Sequence, residues 1–144
     1  LLAEIAGDGE GARALVLCDL GTGVGDELWP LPADTRATGM VWAPDGSQVA
    51  LLLETVDAGE GRAEGRGLWT IDLSARAPRR LLDIPLESGR LVGYTPDGGQ
   101  IIGYQRVEGA QGFHFAIRPD GGGYRILALP AQSRVLGWVE DAGR

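Results

Sequence analysis

A chain of 144 residues, 44% hydrophobic and 23% charged, has the length and composition of one globular domain. Its apolar runs, such as Val49 to Leu53, are strand-sized and far below the ~18 residues of a membrane span, so no membrane span is expected. A net charge of −7 argues against a nucleic-acid partner, whose phosphates need a basic face, and the lone Cys18 excludes intrachain disulfides and cysteine-based zinc sites.

In chain order, the first apolar stretch is Leu1 to Ile5. Further on come Gln48 to Leu53, Leu68 to Leu73, Gln100 to Tyr104, Phe113 to Ile117 and Tyr124 to Leu129, each bounded by Gly, Pro or Asp as short strands are. The nearest helical candidate, Ala75 to Leu82, carries Pro78 in its middle, which costs about 3 kcal/mol inside a helix. The chain therefore reads as all-β.

Internal repetition organises these strands. Trp42-Ala43-Pro44-Asp45-Gly46-Ser47-Gln48 recurs as Tyr94-Thr95-Pro96-Asp97-Gly98-Gly99-Gln100, and more weakly as Trp138 to Gly143. Leu17-Cys18-Asp19-Leu20 matches Thr70-Ile71-Asp72-Leu73, while Pro32, Pro85 and Pro130 correspond. Insertions fall in one connection, where Asp57 to Gly67 is answered by Glu108 to Gly112. Each repeat reads as four strands, a to d, with Pro-Asp-Gly turning between a and b: Pro presets φ, Asp accepts backbone bonds and Gly tolerates positive φ. A four-stranded antiparallel meander recurring every 40 to 50 residues or so is a β-propeller blade; a sandwich needs no such period. The blades fall at about 1–33 plus 134–141, 39–86 and 90–130, one partial propeller domain over residues 1–144.

At these residues the chain resembles the TolB-like and tricorn-type β-propeller repeats, which write strand a and its turn as W-x-P-D-G. The prolyl-oligopeptidase-type propellers are similar. Tyr94 in place of Trp and Glu140 in place of Pro are the departures. The resemblance implies a non-catalytic module for protein or ligand binding and leans towards an extracytoplasmic location. The alternative it carries is the substrate-gating propeller of a larger peptidase. A propeller enzyme such as a lactonase needs acids or metal ligands round a central channel.

Site candidates are few. One His and four Ser leave no Ser-His-Asp arrangement, no Gly-x-Ser-x-Gly occurs, and nothing points to a cofactor or metal. The turn aspartates Asp45, Asp97 and Asp141 stand in different blades and read as caps of their own turns rather than calcium ligands. His114, alternating with apolar residues, and Cys18, aligned with Ile71 and Ile117, read as packing. Trp42, Trp69, Val49, Leu51, Ile71, Ile101 and Ile117 are expected in the core, and Trp29 is the aromatic expected outside it. Arg36, Arg90 and Arg134 in the loops entering strand a, with Arg62 and Arg66 in the b–c loop, share one end of the blades. They read first as solvated surface. As a set they form the candidate face for a carboxylate or acidic peptide.

Leu1 to Ile5 reads as a strand b in the place of Leu51 to Val56, and 134–140 as a lone strand a that completes its blade. Three blades are too few to close a propeller. The expectation is a homodimer of six blades, the alternative a piece of a longer propeller.

Overall fold

The computed structural model describes residues 2–7, 13–56, 65–83, 89–106 and 111–129, with backbone alone for 2–7. They form eleven strands and no helix: β1 (Leu2–Gly7), β2 (Arg13–Cys18), β3 (Gly25–Pro30), β4 (Thr35–Trp42), β5 (Gln48–Thr55), β6 (Gly67–Asp72), β7 (Ala77–Leu82), β8 (Arg90–Tyr94), β9 (Ile101–Gln105), β10 (Phe113–Ile117) and β11 (Arg125–Leu127). They make three antiparallel sheets in sequential order, β1-β2-β3, β4-β5-β6-β7 and β8-β9-β10-β11. Pro78 lies in β7, an edge strand, where a missing N–H leaves one side of the ladder intact.

The Pro-Asp-Gly turns join β4 to β5 and β8 to β9 with the same bonds. Gly46 N–H donates to the Ala43 carbonyl and Gly98 N–H to that of Thr95, at 2.9 and 2.8 Å. Asp45 and Asp97 accept the N–H two residues on, both at 2.9 Å. Gly46 and Gly98 have φ of 72° and 69°, the left-handed region that a side chain would strain.

The core lies between sheets. Val49, Leu51, Leu53 and Ile71 of the second sheet meet Leu15, Leu28 and Leu31 of the first. On its other face, Ala50 and Leu68 meet Tyr94, Ile101, Phe115 and Ile117. The middle sheet is thus covered on both sides, and Val49 to Leu53 are all buried.

Four expectations need correction. Trp42 and Trp69 are half-buried at the first junction, because indoles reaching across from one sheet keep an edge in solvent. Cys18 is half-buried, since the face it shares has no sheet before it among the described residues. Trp29 packs into the first core cluster against Trp69. Leu2 pairs with Cys18 as Val49 pairs with Ile71, so Leu2 rather than a residue before it takes the place of Val49, and the first b–c connection is shorter than expected. The strand expected at 134–140, with Trp138, lies outside the described residues.

Candidate functional site

Arg36 and Arg90 stand inside β4 and β8 rather than in the loops before them. Each has a cross-strand neighbour set by register. Arg36 pairs with Glu54, its nitrogen 3.6 Å from the carboxylate, and Arg90 lies over the ring of its partner Tyr104, 5.3 Å from the centroid. Arg66, just before β6, has its Nε 3.7 Å from Asp83. Asp83 is held more closely by Arg80, at 2.6 Å, and Arg80 also donates to the Arg66 carbonyl at 2.7 and 3.0 Å. The three arginines at this end therefore sit in three separate settings. Arg62 and Arg134 lie outside the described residues. His114 is buried, its ring centroid 5.1 Å from that of Tyr104, with its Nε2 making no hydrogen bond; burial first, and Arg90 second, push its pKa down.

The opposite end of the sheets carries a feature that sequence reading missed. Between the end of the second sheet and the turn after β10 lies a cleft of about 650 Å³, lined by Gln48, Thr70, Asp72, Arg79, Arg118 and Asp120 among others. Its acids are committed to their own turns. Asp72 accepts N–H bonds from Ser74 and Ala75 at 2.9 and 2.8 Å and the Ser74 hydroxyl at 2.8 Å. Asp120 accepts from Gly122 N–H at 2.7 Å and Arg118 Nε at 3.1 Å. These bonds, with backbone N–H the largest cause in both, hold the two carboxyls below the ordinary range. Arg79 is exposed and makes one bond among the described residues, from Nη1 to the Asp120 carbonyl at 3.3 Å. Its guanidinium, with five N–H donors, lines the cleft.

The equivalent junction between the first and second sheets is bridged by an ion pair. Asp26 stands where Arg79 stands in the next repeat, and Arg76 reaches over to pair with its carboxylate and to donate to the Glu27 carbonyl at 3.4 Å. The lining of the cleft is separated widely in sequence and brought together only by sheet packing, which is why no motif marks it. Among the described residues no three His, Cys, Asp or Glu side chains converge as metal ligands do.

Sequential four-stranded antiparallel meanders packed face to face are the blades of a β-propeller. The chain has the β-propeller fold of TolB-like proteins and forms part of such a propeller. It is similar to TolB from Acinetobacter baumannii, at 20% identity and a TM-score of 0.65, covering 88% of this chain and 29% of that one. For a putative TolB from Agrobacterium tumefaciens the figures are 19%, 0.61, 89% and 42%. An oligogalacturonate lyase in complex with manganese matches at 20% identity and 0.57, over 83% of this chain and 31% of the lyase. The chain thus spans under half the length of these proteins. No family model and no curated protein matches it.

Proposed function

We propose that the chain is a non-catalytic β-propeller module that binds a partner protein or peptide through an acidic side chain at the cleft between its second and third sheets. The observation that supports this reading is the exposed guanidinium of Arg79 lining a cavity, with a single bond to the Asp120 carbonyl and no ion pair among the described residues, where the preceding repeat carries the ion pair of Arg76 with Asp26. A carboxylate offers the paired acceptors that a guanidinium fork binds in two parallel bonds. The chain carries −7 overall, so capture relies on these short-range bonds and not on long-range steering. An extracytoplasmic location is part of the same proposal, and the likeness to TolB-like propellers supports it. Arg36, Arg66 and Arg90 at the other end are weaker candidates for the same chemistry, each already engaged by its own neighbour.

The test is titration of the isotopically labelled chain with hexaglutamate, followed by backbone amide and arginine Nε resonances. Shifts are expected at Arg79, Arg118 and Gly121 to Gly123, with binding weakened at least tenfold in Arg79→Ala. Shifts confined to Arg36, Arg66 and Arg90, or no difference between the chain and Arg79→Ala, would overturn the assignment.

A further inference from the structure

The face of the third sheet turned away from the second is buried: Ile102, His114 and Ala116 are 3%, 4% and 0% exposed. Register sets them on one side, since Ile102 pairs with Ala116 and His114 with Tyr104. The other side, with Ile101, Phe115 and Ile117, packs on the second sheet. Ile102 and Ala116 belong to neither core cluster, and no described sheet lies against them. The cover of this face is therefore to be sought outside the described residues.

The preceding junction shows what such a face accepts. There Leu91 and Tyr94 of β8, the first strand of the third sheet, join Val41, Ala50 and Leu68 of the second sheet in one cluster. β8 runs close to β4: a β-carbon on Gly39 would stand 3.6 Å from the Leu91 backbone nitrogen. The covering element is thus the first strand of the next sheet, reached from β7 through the seven residues 83–89.

Arg134-Val135-Leu136-Gly137-Trp138 repeats the pattern of Arg90-Leu91-Val92-Gly93-Tyr94: basic, two aliphatics, glycine, aromatic. Six residues, 128–133, separate it from β11, nearly the length of the β7–β8 connection. Of the stretches outside the described residues, 130–144 alone carries an aromatic ring. The receiving side is matched in bulk as well. Gly93 pairs with Ile102 as Val41 pairs with Ala50, so side-chain carbon lost on the first strand is regained on the second.

We infer that residues 134–140 of this chain dock on the far face of the third sheet as β8 docks on the second, with Val135 in the place of Leu91 and the Trp138 indole over Ile102 and Ala116. The docked segment also seals His114, which pairs with Tyr104 as Leu68 pairs with Leu52. It lies against the third sheet and not beside β1 of its own chain, because the first and third sheets cover opposite faces of the second. This goes beyond the peptide-binding reading and stands without it, since the cleft of that reading belongs to the junction before.

Nuclear Overhauser contacts of the Trp138 ring in the 144-residue chain test this, with the Ile102 and Ala116 methyl resonances assigned and the indole identified by its loss in Trp138→Ala. Contacts from the ring to both methyls are expected within a single labelled chain. Trp138→Ala is expected to speed amide exchange roughly tenfold in β9 and β10 while β2 and β3 change less. Should that variant fail to fold, the contacts in the parent chain decide alone. A Trp138 ring with random-coil shifts, or in contact with another face, overturns the inference. So does unchanged exchange in β9 and β10 of a folded Trp138→Ala. Contacts found only between differently labelled chains in a mixed sample overturn it too, and make the occupant a second copy.

Discussion

Trp29 of the first sheet lies against Trp69 of the second, with ring centroids 4.9 Å apart and planes inclined by 42°. The Trp69 indole N–H donates to the Gly65 carbonyl at 2.8 Å, which fixes one ring while the other leans on it. Truncating either half-buried indole to Ala is expected to cost about 2–4 kcal/mol. A double-mutant cycle by urea unfolding is expected to show about 1 kcal/mol of coupling beyond additivity. Strict additivity would mean that the rings pack independently.

Two glycines separate strain from collision. Gly98 has φ of 69° with only the Pro44 ring edge near, so Gly98→Ala meets backbone strain alone, roughly 1 kcal/mol. Gly103 lies under the Phe115 ring, where a β-carbon would overlap the ring carbons. Gly103→Ala displaces a side chain that is 1% exposed and is expected to cost about 2–3 kcal/mol. Melting temperatures of the two variants should rank in that order, and the reverse order would contradict the packing described.

Acid should unfold the chain in two stages. Burial keeps His114 neutral, with its pKa below the ordinary 6.5, so the unfolded chain takes up a proton first. Stability falls as pH drops from about 6.5 through the lowered native value. Asp19, Asp45, Asp72, Asp97 and Asp120 are held below the ordinary 3.8 by bonds within their turns. Their contribution is present above 3.8 and is lost as pH falls through the lowered native values. Melting temperature against pH should therefore decline below 6.5 and again below 3.8, with the first decline absent in His114→Gln. Persistence of that first step would assign it to another group.

Arg76→Ala should loosen the outer strand of the first sheet, which its ion pair with Asp26 holds. The prediction is faster hydrogen exchange at Gly25 to Glu27 and little change in melting temperature, because the ion pair with Asp26 is solvent-exposed. Unchanged exchange would show that the pair does not hold that strand.

The parts of this fold readable in sequence are those fixed by local chemistry. Pro44-Asp45-Gly46 and Pro96-Asp97-Gly98 specify their turns within four residues, and Ile71, Ile101 and Ile117 announce their faces by alternation. Trp29 was missed although the offset that sets Leu17 against Thr70 and Pro32 against Pro85 also sets it against Leu82: both sheets carry the same register shift, and Trp29 pairs with Leu15 as Leu82 pairs with Leu68. The settings of Arg36 and Arg90 depend on bulges in β4 and β8 that no motif marks. The different partners of Asp26 and Arg79 at equivalent places become visible only once the sheets are packed.

The strand covered on both faces has a meaning before folding is complete. Val49 to Leu53 lies between Gln48 and Glu54 with no polar side of its own, and contains neither Gly nor Pro. Its flanking strands arrive through near neighbours in the chain, but its two faces are sealed only when the first and third sheets dock. Until then it is a five-residue apolar segment able to pair with its counterpart in another unfolded chain. Refolding yield should therefore fall with protein concentration, set by how soon the outer sheets reach the middle one.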